Sequence, residues 1–273
     1  MKVIQKHFNS ITELNKHLSE SKTQPNFKGC ESSQSEEGEN GTFYKTKNFE
    51  EANNLLLHGD KELAKEIEDA GVAKTRLKLK TQQTRRQLFS SVVGVAPNVP
   101  NALAGVPTSM ISVKEIRCKT KVVNIFYNLS VSGGVSADEI IYKSSKFISA
   151  CMLLEAQGIR LNIHVGDVAN KNDAYTIFST RIKSASQPFD VLKMAYPMAH
   201  PSMLRRHYFR ATEVTKGVNK SFVYGYGRVV SDTDLIYELL DTKEKFNCVL
   251  SFTHIKHWMT AEDLAKEIIS RCK

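Results

Sequence analysis

Apolar and polar residues follow different periods in the two halves of the chain. In the N-terminal part the apolar positions recur at helical spacing, which predicts an amphipathic helix or helix pair over residues 1–22. The positions that carry this pattern are Phe8, Ile11, Leu14 and Leu18. Residues 23–42 are rich in Ser, Gly and Glu, and we interpret them as a flexible connection.

Two short helices are predicted after this connection. Asn48 is placed to cap the first and Asp60 the second, and Gly71 ends the second helix. We expect the basic stretch that follows to continue as a helix from 73 to 93. Residues 94–107 hold three prolines, two glycines and no charge. They predict an irregular apolar loop that packs against the next domain.

From Lys121 the pattern changes to an alternation of strands and helices. It predicts an α/β fold with a doubly wound, mostly parallel five-stranded sheet in the order 3-2-1-4-5. The predicted strands are 122–127, 159–165, 175–183, 222–230 and 247–253. The first is fully apolar and therefore central. The third follows the second after a short polar loop, so we expect it to be antiparallel and to lie at one edge.

The predicted domain organisation has three parts. A helical or flexible N-terminal segment and a helical region with the proline-rich loop precede the α/β domain. Their ranges are 1–42, 43–112 and 113–273.

Composition narrows the class of protein. The 273 residues are 41% hydrophobic and 25% charged, and no stretch approaches the 18 apolar residues of a membrane span. The five cysteines are scattered without CxxC spacing, which favours reduced thiols and no zinc site. We expect a cytoplasmic protein with no membrane partner.

The net charge of +9 raises the expectation of a polyanionic partner. Residues 74–86 hold six basic residues and no acid. One hypothesis is therefore weak, salt-dependent binding of nucleic acid. The residues proposed to contact it are Lys78, Lys80, Arg85 and Arg86.

The first predicted strand ends in a polar run that holds Asn128, Ser130 and Ser132. With the strand order, this run resembles the von Willebrand factor A domain, whose first strand ends in Asp-x-Ser-x-Ser at a metal-ion-dependent adhesion site. Ser202 stands where that family has a threonine ligand. Asn128 replaces the family's first aspartate, and the fourth strand offers no acid after Tyr226. Because Mg²⁺ depends on carboxylate ligands, we expect no bound metal and no other cofactor.

These polar residues are predicted to share one cleft. In an open α/β sheet, ligands bind beyond the carboxyl ends of the strands, where the strand order reverses. Hydroxyls, an amide and an arginine at that edge suit an anion: a phosphate or an acidic side chain of a partner. The residues placed there are Asn128, Ser130, Ser132, Ser202, Arg205 and Tyr226.

The runs around His200–Arg206 and Gly225–Arg228, together with the proline-rich loop, also resemble an uncharacterised group of tailed-bacteriophage proteins. That resemblance implies a phage-encoded protein that acts in the bacterial host cell. No HExxH, P-loop or GxSxG motif is present. We therefore favour a non-enzymatic interaction protein that recognises a protein or anionic partner through the sheet edge. The alternatives are the nucleic-acid-associated protein and a binder or enzyme for a phosphorylated small molecule.

Overall fold

Most of the chain folds around a mixed sheet with helices packed on it. The computed structural model describes residues 2–38, 41–72, 84–117, 121–171, 174–218, 225–240 and 246–272. The strands are β1 (Lys2–Phe8), β2 (Thr84–Ser91), β3 (Ala96–Pro97), β4 (Met110–Arg117), β5 (Val122–Asn128), β6 (Arg160–Lys171), β7 (Ala174–Lys183), β8 (Arg228–Val229) and β9 (Cys248–Ser251). The helices are α1 (Ile11–Glu20), α2 (Phe49–His58), α3 (Lys61–Val72), α4 (Val99–Leu103), α5 (Ala137–Ala156), α6 (Val191–Ala199), α7 (Phe209–Val214), α8 (Thr233–Leu239) and α9 (Ala261–Arg271).

The chain forms two compact units. The α/β unit contains residues 1–77, 122–155 and 159–273. The second unit contains residues 78–121 with 156–158, and we call residues 78–121 the basic arm.

The sheet of the α/β unit is mostly parallel. Its strand order is β1-β7-β6-β5-β9, and β8 pairs with β6. The pairs β1–β7, β5–β6 and β5–β9 are parallel, whereas β6–β7 is antiparallel. The predicted antiparallel pairing of the second and third strands is therefore confirmed. The apolar run of β5 is internal to the sheet, as its composition predicts.

Three details of the predicted sheet are wrong. Residues 2–8 form a strand rather than part of a helix, and this strand covers β7, which is therefore not an edge strand. The strand predicted at 222–230 is described only at Arg228–Val229, and it pairs with β6 instead of lying beside β5. The neighbour of β5 is β9. The partner of β1 lies 172 positions away in the sequence. Pairing with this distant strand therefore overrides the local helical spacing of apolar residues near Phe8.

The predicted caps of α2 and α3 are confirmed. Asn48 Oδ1 accepts a hydrogen bond from Glu51 N at 2.9 Å, and Asp60 Oδ1 accepts one from Leu63 N at 3.0 Å. Each cap satisfies an N–H group that the first helical turn leaves without a partner.

Both faces of the sheet are covered. Val123, Ile125 and Tyr127 of β5 point into the larger core, together with residues of α5, α6 and α9. Phe126 points the other way, into a smaller core that includes α8. This alternation along one strand explains why β5 carries apolar residues on both faces.

The basic arm is built on a three-stranded antiparallel sheet in the order β2-β4-β3. The helix predicted over 73–93 is wrong where it is described, because residues 84–91 form β2 and pair with β4; residues 73–83 lie outside the described part. The proline-rich loop contains β3 and α4, and most of its large apolar side chains are exposed.

Candidate functional site

The carboxyl end of β5 carries a closed polar network. Asn128 Nδ2 donates to Val230 O at 2.8 Å, and its Oδ1 lies 2.6 Å from Ser130 Oγ. Ser130 Oγ also lies 2.7 Å from Asp167 Oδ1 and accepts from Val168 N at 2.8 Å. Asn128 and Ser130 are buried. They tie the end of β5 to the neighbouring β6 and to the residue after β8.

Asp167 is the residue of this network that the sequence reasoning missed. Its carboxylate is buried, and burial raises its pKa, opposed by the bond to Ser130 and by the charge of Lys171. Lys171, four residues along the same strand, is also buried, and burial lowers its pKa to about 8. Within the described ranges its Nζ atom has no hydrogen-bond partner. The sequence does contain a signal for this pair: Asp167 and Lys171 lie four positions apart, which places them on the same face of a strand.

Ser202 and Arg205 hold a segment that we call the strap, residues 32–38 and 41–47. Ser202 Oγ donates to Tyr44 O at 2.6 Å. Arg205 donates to Phe43 O and to Val135 O, both at 2.6 Å, and its guanidinium lies 4.0 Å from the centre of the Phe43 ring. Arg205 thereby links the strap to the loop between β5 and α5.

Arg206 fastens the other parts of the strap. It donates to Ser33 O at 3.1 Å, to Ser35 O at 2.9 Å and to Thr46 O at 2.7 Å. Its guanidinium lies 4.1 Å from the centre of the Tyr44 ring. Both arginines sit on a π-helical turn, Met203–Tyr208, and are buried. Burial lowers the pKa of each guanidinium.

Tyr226 belongs to a third group. Its hydroxyl donates to Glu213 Oε1 at 2.5 Å and accepts from Ser32 N at 2.9 Å. Its ring stacks on Phe209 with centroids 3.9 Å apart. Glu213 is fully buried and also accepts from Ser33 Oγ at 2.5 Å. Burial and the adjacent Glu213 carboxylate raise the pKa of Tyr226.

The six residues predicted at the cleft therefore fall into separate sets. Asn128 pairs with Ser130, and Ser202 and Arg205 share the strap. Ser132 lies on an exposed turn, where its carbonyl accepts from Val135 N at 3.1 Å. The groups predicted to face a ligand are bound largely to the protein's own main chain. The strap, much of it interpreted from sequence as a flexible connection, has hydrogen-bond partners along its length.

The strap itself contains an anion-binding arrangement. The Glu37 carboxylate accepts from Phe43 N at 2.8 Å, Tyr44 N at 2.9 Å and Lys45 N at 3.1 Å. Lys45 itself has φ +60°, in the left-handed region, and successive main-chain N–H groups that converge in this way form an anion-binding concavity. Glu37, Lys45 and Lys47 are among the residues that line an adjoining cavity of about 560 Å³.

The positive charge of the chain is concentrated in the basic arm and the four residues that precede it. Residues 74–121 contain ten Lys or Arg and one Glu, a net charge of +9 that equals the net charge of the whole chain. Lys78 and Lys80 lie outside the described residues, whereas Arg85 and Arg86 are on β2. Arg86 is exposed, as is Lys114 on β4, so the arm presents basic groups on a ribbon and not on the predicted helix.

Metal-binding clusters and membrane-spanning helices are both absent from the described part of the chain. No group of three or more His, Cys, Asp or Glu residues there is arranged to hold a metal ion. No helix there has the length and apolar character needed to cross a membrane.

The fold and these sites define a mixed α/β protein with a buried polar sheet edge and a basic β-hairpin unit. Residues 1–267 match the model of a family described as a domain of unknown function, DUF7192, and the chain belongs to that family. The match spans both the α/β unit and the basic arm. Neither a curated protein nor a solved structure matches the chain.

Proposed function

We propose that this is a non-enzymatic interaction protein that binds nucleic acid through the basic arm. The observation that carries the proposal is the distribution of charge. Residues 74–121 hold the entire net charge of +9, so the rest of the chain is neutral in sum. A polyanion would be attracted to this segment and not to the remainder, because association follows the local potential.

The shape of the arm suits this partner. β2 and β4 pair over eight positions, a ribbon about 26 Å long at 3.3 Å per residue. Two-stranded β-ribbons bind duplexes through the major or the minor groove. Arg86 and Lys114 are exposed on the two strands, and arginine in particular matches the geometry of phosphate oxygens.

The test is the salt dependence of binding to duplex DNA and RNA. In the arm variant, Lys78, Lys80, Arg85 and Arg86 become Gln. In the matched control, four exposed lysines of the α/β unit become Gln: Lys28, Lys193, Lys216 and Lys266. Both variants lose four positive charges. We expect the arm variant alone to lose affinity and to flatten the slope of log K against log salt by about three to four.

Two outcomes contradict the proposal. One is a wild-type protein that ignores DNA and RNA at low salt. The other is an equal loss of affinity in both variants, which would show that overall charge and not the arm attracts the polyanion.

A second candidate function uses the sheet edge through the strap. It is the recognition of an acidic side chain or other anion of a partner, in the region of Ser202 and Arg205. The three N–H groups that converge on Glu37 favour it, since a partner's carboxylate could exchange with this internal one.

Sulfate is a suitable probe for this candidate. Glu37→Ala empties the three N–H groups, and Glu36→Ala removes an exposed acid next to it as a control. We expect sulfate to raise the melting temperature of Glu37→Ala more than that of the control or the wild type. Equal shifts in all three proteins would remove the candidate.

We also propose a fold family and an origin for this protein. The order β7-β6-β5 with antiparallel β7 supports a variant of the von Willebrand factor A fold in which β1 adds a strand beyond β7. A phage-encoded protein acting in the bacterial cytoplasm rests on the sequence resemblance. Chemistry on a phosphorylated small molecule has less support, because Ser130 and Ser202 are buried and bonded within the protein.

A further inference from the structure

We infer that the tip of the basic arm, residues 92–107, is an apolar wedge that inserts between base pairs of duplex nucleic acid. The inference rests on the proposed function, because it requires the arm to bind nucleic acid. It adds a second mode of contact, which is apolar and independent of salt.

The tip exposes apolar side chains that the rest of the basic arm leaves uncovered. It contains no charged residue. The exposed fractions of its large apolar side chains are 67% for Val92, 77% for Val93, 78% for Val95, 57% for Val99 and 85% for Leu103. A contiguous exposed apolar surface of this kind marks an interaction site in a native protein.

Hydrogen bonds within the arm give the tip a defined main-chain conformation. β3 pairs with β4, and Val95 N donates to Ile111 O at 2.8 Å. Asn98 caps the short helix α4, and Asn101 Nδ2 donates to Thr108 O at 3.1 Å. The main chain of the tip is thus satisfied internally, while Leu103 and the valines point outward. A preformed apolar surface loses little conformational entropy when it binds.

Charge selects the partner of this surface. The tip is bordered by the basic strands β2 and β4, so whatever meets the tip also meets a strongly positive stem. Two copies of the arm would repel each other. A lipid interface favours Trp and Tyr anchors, and residues 84–117 contain neither. Proteins that bind a phosphate backbone with basic groups insert Leu, Ile or Pro wedges between base steps and unstack them.

The experiment separates the wedge from the electrostatic contact. Leu103→Ser with Val99→Ser truncates the tip, and Leu88→Ser is the control on the stem, where the side chain is also exposed. Each protein is titrated into a 20-base-pair duplex that carries 2-aminopurine, and affinity is measured over a range of salt. We expect the tip variant to bind about tenfold more weakly with an unchanged salt slope. The wild type and the stem variant should raise 2-aminopurine fluorescence, and the tip variant should not.

Four other results would contradict the proposal that the tip inserts between base pairs. Salt-dependent binding without any fluorescence rise leaves the proposed function standing and removes the wedge. Absence of binding at low salt removes both. Tip-dependent binding to phosphatidylserine vesicles in preference to DNA assigns the tip to a membrane. A lower sedimentation mass for the tip variant than for the wild type assigns it to a second copy of the chain.

Discussion

Replacing Arg206 by alanine tests whether a buried guanidinium holds the strap in place. The substitution removes the donors that reach Ser33 O and Thr46 O, both in buried residues, and the one that reaches Ser35 O. Ser35 is exposed, so water can replace the lost donor there. Two buried carbonyls lose their partner, at about 1–3 kcal/mol each. The lost stacking on Tyr44 adds to this cost. We expect the free energy of unfolding to fall by about 4 kcal/mol.

Urea denaturation and limited proteolysis measure the two consequences of this change. Arg160→Ala is the matched control, because Arg160 is 44% exposed and pairs with Glu155 at 3.0 Å. Glu155 keeps its shorter ion pair with Lys183 at 2.6 Å when Arg160 is removed, so the loss should be about 1 kcal/mol or less and the control should unfold close to the wild type. A protease specific for Glu should cut Arg206→Ala faster at Glu36 and Glu37. If Arg206→Ala matches Arg160→Ala in stability and its strap is cut no faster, the guanidinium does not hold the strap.

Two further predictions concern buried titratable groups. Glu213→Gln should lower the free energy of unfolding by about 2–4 kcal/mol in urea titrations, because an amide replaces a carboxylate that accepts from several buried donors; an unchanged midpoint would contradict this. His200 and His207 are buried, and burial lowers the pKa of each to about 3. Their unfolded-state pKa is about 6.5, so unfolding takes up protons between these values, and stability should fall as the pH drops below about 6.5. His200→Gln or His207→Gln should each reduce the slope by about one proton relative to the wild type; equal slopes in wild type and variants would refute the assignment.

Local patterns predicted the parts of the fold that local interactions determine. Asn48 and Asp60 cap α2 and α3 within three residues of themselves, so a short window contains all the information. The apolar run of β5 predicted an internal strand, and the short polar link after β6 predicted its antiparallel hairpin with β7.

The parts that were missed depend on residues far apart in the sequence. Arg206 donates a hydrogen bond to Ser33 O, 173 positions away in the sequence. The local composition of Ser, Gly and Glu residues around Ser33 does not indicate this bond. The same holds for the basic residues at 84–91, which suit a helix by propensity but pair with β4. For the candidate site, Ser202 was proposed from the A-domain resemblance and Arg205 from its residue type. Asp167 was missed because β6 continues to Lys171, beyond the predicted strand 159–165.

The pairing of β1 with β7 has a consequence for synthesis on the ribosome. Lys2 pairs with Ala174, so 172 residues must be added before the first strand meets its partner. At 5–20 residues per second this takes about 9–34 s. The strands of the basic arm lie near each other in the sequence, so this ribbon can form before β7 has been synthesised. The first strand made thus joins the sheet only after β7 is synthesised, and until then its main chain is open to chaperones or to a neighbouring nascent chain.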